Sequence, residues 1–221
     1  WAKLIFFRDA GDTEIGGFGI TDPSDLLLVV DFVTLRQEVT SVTVAFHDEA
    51  VADYFETQVD AGLRPEQFGR IWIHTHPGNS ASPSGTDEAT FSRVFGSCDW
   101  ALMFILAKGG QRYARLRFNV GPGGQVLLDT QIDFAEAFGP SDQTAWEAQY
   151  EQNIQIASSM SRGNMDTPAA LPADFWTLSR FSSRPHPRQF HRDEELEEIL
   201  MEHYGGDGDL PEEFWQQEAG L

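Results

Sequence analysis

A chain of 221 residues with 35 acids against 15 Lys and Arg carries a formal charge of −20, which argues against nucleic acid as its partner, because phosphate binding needs clustered bases. Hydrophobic residues make up 41 %, with 17 Phe and 6 Trp, enough for a core, yet no apolar run approaches the ~18 residues of a membrane span. A single Cys excludes an internal disulfide framework and a thiolate zinc cluster and fits a reducing compartment; with no signal peptide visible, the expected location is cytoplasmic.

In chain order, residues 1–140 read as an α/β domain. Ala2–Phe7 is a short apolar run, read as a strand. Thr13–Ile20, "TEIGGFGI", is β-like but rich in glycine, which predicts close backbone approach or a bulge. Leu26–Leu35 and Val39–Phe46 are β-branched runs joined at "RQE". Asp48–Ala61 reads as a helix with Val51, Tyr54, Phe55 and Val59 on one face and Gly62 as its C′ residue. Arg70–His74 is a short buried strand, and Asp87–Phe95 is helical. Trp100–Ala107, "WALMFILA", has the look of a central strand. Arg112–Phe118 and Val126–Ile132 follow it across glycine turns, which predicts a three-stranded meander.

The character changes near Pro140. Residues 1–140 hold 19 acids and 10 bases, whereas 141–221 hold 16 and 5, so the second part is more acidic per residue. Solubility explains that plainly; a basic partner is the other reading. Thr144–Ala157 reads as one amphipathic helix. Beyond it lie a linker-like stretch, the extended "SSRPHPRQF" and a short helix, "DEELEEILMEHYGG". "LPADFW" (171–176) and "LPEEFW" (210–215) echo each other. Proline followed by acids is a common helix start, and a repeated Phe-Trp docking peptide is the alternative.

The stretch with chemistry is "IWIHTHPGNSASPSGTDEATF", Ile71–Phe91. His74 and His76 are two apart, so at a strand's end both rings point to one side. Asp87 follows at the start of a helix, after a loop of Pro, Gly, Asn and Ser able to fold that start back toward the strand. Two nitrogens and one oxygen with a position left for water is the ligand count of catalytic zinc; a structural site would be closed by four protein ligands. The competing reading is a capping box at Ser84–Asp87, in which Asp87 only caps a helix. On this reading the two roles exclude each other, because a capping carboxylate oxygen is already occupied. Thr75 and Pro77 shape the loop, Trp72 is core, and Ser80 and Ser82 are polar loop residues. Cys98 reads as a buried free thiol. His186, His191 and His203 match no common metal spacing.

His74, His76, Pro77, Ser84 and Asp87 form the pattern H-x-H-P-x6-S-x2-D, with an upstream Glu14 followed by glycine in "TEIGGFGI". This resembles the JAMM (JAB/MPN+) metalloproteases, which include ubiquitin isopeptidases and their prokaryotic relatives. The resemblance covers about residues 1–135. It implies an MPN domain, a curved mixed β-sheet flanked by helices, over 1–140, with 141–221 as an acidic helical and extended C-terminal extension. It implies that His74, His76 and Asp87 bind Zn2+. Glu14 would be the general base and then acid, and Ser84 would donate to the oxyanion of the tetrahedral intermediate. Without the resemblance, Glu14 cannot be chosen among the chain's other acids, and its plain reading is an exposed turn residue.

The implied activity is a zinc-dependent peptidase or isopeptidase that cleaves after the C-terminus of a ubiquitin-like protein, with its activating or conjugating enzymes as further partners and with neither nucleic acid nor membrane. An extended glycine-rich tail would add a strand beside the metal. A peptidase that processes a small β-grasp sulfur carrier would use the same site. A non-catalytic scaffold would have lost ligands that this chain keeps. Amidohydrolases also carry H-x-H at a strand end, but in (β/α)8 barrels of ~250 residues. The extension would bind the modifier or a conjugating enzyme, dimerise, or cover the groove as a lid.

Overall fold

The computed structural model describes residues 1–135 and 139–157. Its first half runs α1 (Ala2–Asp9), β1 (Gly16–Thr21), β2 (Val29–Thr34), β3 (Gln37–Val39), β4 (Val44–Phe46), α2 (Asp48–Asp60) and α3 (Pro65–Phe68). The second runs β5 (Ile71–His76), α4 (Gly85–Phe95), β6 (Trp100–Ala107), β7 (Arg112–Phe118), β8 (Gly124–Leu127), α5 (Gln143–Asn153) and β9 (Ile154–Ile156). No helix among the described residues is long and apolar enough to cross a membrane.

Six strands form one mixed sheet in the order β2-β1-β5-β6-β7-β8. Within this sheet only β5 and β6 pair in parallel, and α4 makes the crossover between them. The chain is thus mixed α/β, with the expected meander at β6-β7-β8.

Alternation along the central strands divides the core in two. Ala101, Met103 and Ile105 of β6 join Trp72 and Phe18 on one face, against Val51 and Tyr54 of α2 and Phe91 and Phe95 of α4. Leu102, Phe104 and Leu106 join Ile71 and Ile73 on the other, with Leu4 and Phe7 of α1 and Ile154 of β9. A strand buried on both faces must be apolar at every position, which is why "WALMFILA" reads as continuous. The same parity directs His74 and His76 to the face of Trp72, where α4 lies.

Two glycine expectations are met. A Cβ on Gly17 would sit 2.3 Å from the Val33 carbonyl oxygen, and one on Gly16 would sit 2.7 Å from Val44 Cγ1. Gly62 takes φ +84° just past α2, and the Leu63 N–H reaches the Gln58 carbonyl in a Schellman closure.

Several expectations need correction. Ala2–Phe7 is helical, not a strand: Leu4 and Phe7, three apart, are its buried residues. A short apolar run does not distinguish the two states by composition. Val39–Phe46 is not one run: Gln37–Val39, which takes in most of the "RQE" join, is a strand that pairs antiparallel with Val44–Phe46. β2 begins at Val29 rather than Leu26. Val59 is 51 % exposed and leaves the buried face of α2. β8 runs Gly124–Leu127 rather than Val126–Ile132, starting directly after the left-handed Gly121 and Gly123.

The single helix expected over 144–157 stops at Asn153. Its β-branched end, Ile154–Ile156, pairs in parallel with β3. α5 lies against α1 through Phe6 and Trp146, with ring centroids 5.7 Å apart. The Asn153 amide donates to the Thr34 carbonyl at 3.0 Å. Residues 143–156 are therefore packed onto the body formed by the preceding elements. The linker, the Phe-Trp echo, the lid, the tail histidines and the final helix lie outside the described residues.

Candidate metal centre

Four segments converge on the α4 face of β5. Strand β5 ends in His74 and His76, whose ring centroids are 5.2 Å apart. The loop 77–84 returns the chain so that α4 starts beside them, carrying Asp87 in its first turn. Glu14 sits two residues ahead of β1, where Gly16 pairs with His74. It is 4 % exposed, so it is no surface turn residue.

Asp87 Oδ1 lies 3.3 Å from His74 Nε2, Asp87 Oδ2 3.6 Å from His76 Nε2, and Glu14 Oε1 3.6 Å from His76 Nε2. Ligand atoms of His74, His76 and Asp87 all lie within 4.8 Å of one another, and among the described residues this is the one such group of three. Glu14 stands beside that set rather than in it.

These side chains fit a metal ion by what they leave undone. His74 Nδ1 and Nε2, His76 Nε2 and Glu14 Oε2 are buried with no hydrogen-bond partner. A buried polar atom without a partner costs ~1–3 kcal/mol, so such a cluster needs a reason. A divalent cation taking both Nε2 atoms and an Asp87 oxygen would give partners to two of these four atoms. The tautomer is also arranged: His76 Nδ1 is 3.0 Å from the Ser80 carbonyl, which holds the proton on Nδ1 and leaves the Nε2 lone pair free. Trp72 stacks on His74 at 4.3 Å and fixes its ring.

Asp87 does two things at once, contrary to the exclusion expected from the sequence. Oδ2 accepts the Ser84 N–H at 2.7 Å, Ser84 Oγ accepts the Asp87 N–H at 3.1 Å, and Oδ1 remains toward His74. A carboxylate offers about four lone pairs, so capping leaves room for a ligand. Ser84 Oγ, an acceptor here, still has its proton to donate.

Electrostatics fit the division of roles. Burial pushes the Glu14 carboxyl up to about 7, with the Asp87 charge adding and His76 opposing. Burial would also raise Asp87, but His74, His76 and the Ser84 N–H hold it far below the usual carboxylate range. Burial pushes the His74 pKa down, against the pull of Asp87. For His76 burial lowers the pKa, but the neighbouring Asp87, Ser80 carbonyl and Glu14 outweigh it and raise the pKa. Burial also raises the Cys98 thiol, as suits an inert core residue.

The structure therefore brings together all five residues singled out in the sequence. It adds three that spacing did not reveal. Ser80 acts through its carbonyl. Thr75 Oγ1 accepts the Ile15 N–H at 3.1 Å. Gln37 bonds both backbone groups of Gly16. Backbone roles and long-range side-chain bonds leave no mark in local spacing. The sequence matches no protein-family model and no curated protein.

Proposed function

We propose that this chain is a zinc-dependent peptidase of the JAMM type, with its MPN-like catalytic domain over residues 1–140, and that it cleaves after the C-terminal tail of a ubiquitin-like protein. The observation that carries the reading is the buried group His74, His76 and Asp87 with Glu14 next to it, in the order of the pattern H-x-H-P-x6-S-x2-D. His74, His76 and Asp87 would hold the ion. When bound, it supplies Lewis acidity, lowering the pKa of water to about 7 and polarising the scissile carbonyl.

The remaining work falls to the protein. Glu14, buried beside His76, takes the proton of the attacking water and returns it to the leaving amine as general base and then acid. Ser84, held at the N-cap of α4, donates to the oxyanion, a contribution of ~3–4 kcal/mol in comparable sites. The Ser80 carbonyl and Trp72 keep both imidazoles oriented.

The test uses a ubiquitin-like protein with a short C-terminal extension, incubated with the purified chain before and after chelation and zinc reloading. Mass spectrometry should find a single cut directly after the tail, lost on chelation and restored by zinc. An uncut substrate in the zinc-loaded sample, across several ubiquitin-like proteins including sulfur carriers, would contradict the reading.

A further inference from the structure

Glu14 lies outside regular structure, yet the chain around it is tied on every side. The Glu14 N–H donates to the Thr40 carbonyl at 2.8 Å. The Ile15 N–H reaches Thr75 Oγ1 at 3.1 Å, and the Thr75 N–H reaches the Ile15 carbonyl at 2.9 Å. Gly16 faces β5 on one side only. On the other, pairing with β2 begins one residue later, at Gly17 and Thr34.

The Gln37 side chain takes the place of the missing strand. Its Oε1 accepts the Gly16 N–H at 2.8 Å, and its Nε2 donates to the Gly16 carbonyl at 2.8 Å and to the Leu35 carbonyl at 2.9 Å. The amide thus imitates a peptide group in a β-ladder, and it is wholly buried. Gln37 is in turn the first residue of β3, opposite Ile154 of β9. Asn153 clamps the end of β2 through the Thr34 carbonyl and hydroxyl, at 3.0 and 3.1 Å. The Ala157 N–H closes the far end of the pairing on the Val39 carbonyl at 3.0 Å.

We propose that Gln37 is a positioning residue for Glu14, and that β9, from the segment after residue 140, completes the brace by holding β3 in place. The proposal rests on the reading of Glu14 as general base. It gives residues 153–157 a part in the catalytic centre although none of them is among its ligands. A base must stay within hydrogen-bond reach of the proton it moves, and small misplacements are costly in rate. A side chain that bonds both polar groups of the residue two positions on limits such drift.

The test uses the full zinc-loaded chain with Gln37→Met, which keeps the length of the side chain and removes its three hydrogen bonds. Three quantities are read: zinc per chain, hydrogen exchange of the Gly16 amide against the β6 amides, and kcat and KM on the extended ubiquitin-like protein. Zinc should stay bound and β6 protection should hold, while Gly16 exchanges roughly tenfold faster or more and kcat falls at least about tenfold at near-constant KM. Asn153→Ala, milder and peripheral, should shift Gly16 exchange and kcat in the same direction by less.

Unchanged Gly16 exchange or unchanged kcat in Gln37→Met would overturn the role of Gln37, and so would a joint loss of zinc, β6 protection and activity. An Asn153→Ala chain identical to wild type in both readouts would overturn the role of β9. If wild-type protein with bound zinc cut nothing, the peptidase reading would fall by itself. Gly16 exchange in the two variants would then decide alone whether the brace exists.

Discussion

Asp87 Oδ2 caps Ser84 at 2.7 Å while Oδ1 sits 3.3 Å from His74 Nε2. One carboxylate thus links the start of α4 to the end of β5, and the residue that caps the helix is also one of the three that could hold a metal ion.

That double role can be separated. Asp87→Asn keeps an oxygen for the cap but loses the charge that His74, His76 and the Ser84 N–H hold, so metal-free stability should fall at neutral pH and zinc binding should collapse. Asp87→Ala removes both and should cost a further ~1 kcal/mol in the metal-free protein, the usual worth of an N-cap. Denaturant melts with chelator, beside zinc titrations, distinguish the two; equal metal-free stability of the two variants would mean that the cap contributes nothing.

Ser84 also has two roles. Ser84→Ala should lower kcat by about 10²–10³ on the extended ubiquitin-like substrate, with zinc content retained and stability reduced by ~1 kcal/mol. Ser84→Thr keeps a hydroxyl and a cap and should recover most of both. A rate loss below about threefold in Ser84→Ala would remove the oxyanion role.

Burial of Glu14 makes a linkage prediction for the metal-free protein. In the unfolded chain a glutamate ionises near ~4.3; in the folded chain Glu14 does so at about 7. Between these values the folded state holds more protons, so stability falls as pH rises and levels off above 7. Relative to Glu14→Gln, wild type should lose up to ~3 kcal/mol across that window. Zinc should abolish the slope, because a cation favours the ionised carboxylate. Parallel stability curves for the two chains in chelator would contradict the burial argument.

A chain ended at Pro140 loses α5 and β9, uncovering the α1 face around Phe6 and Phe7 and removing buried Ile154. It should be less stable than a chain ended at Ala157 by at least ~2–3 kcal/mol, a shift of roughly 5–10 °C in Tm. Equal Tm values would show that residues 141–157 are not part of the body.

What was legible in the sequence was whatever depends on short spacing. His74 and His76 share a face because strands alternate, and Asp87 announces a helix start. The apolar run 100–107, eight residues long and followed by a glycine turn, reads as a strand buried on both faces by its length and its flanks. Glu14 was legible only through resemblance, since an acid ahead of a glycine-rich strand looks like a turn residue until burial is seen. Ala2–Phe7 misled because six residues, five of them apolar, suit a strand as well as a helix, and only packing of Leu4 and Phe7 on the sheet decides. Gln37 was silent because its partner Gly16 lies 21 residues away. Ile154–Ile156 was hidden at the end of a helical pattern because its strand partner, β3, lies more than a hundred residues earlier.

The most direct measurement is zinc content and cleavage in the same preparations of wild type, His76→Ala and Glu14→Gln. Wild type should carry about one zinc per chain, His76→Ala little, and Glu14→Gln full zinc with cleavage abolished. Wild-type protein purified without chelator and lacking stoichiometric metal, or a Glu14→Gln chain that still cleaves at the wild-type rate, would contradict the zinc-peptidase reading.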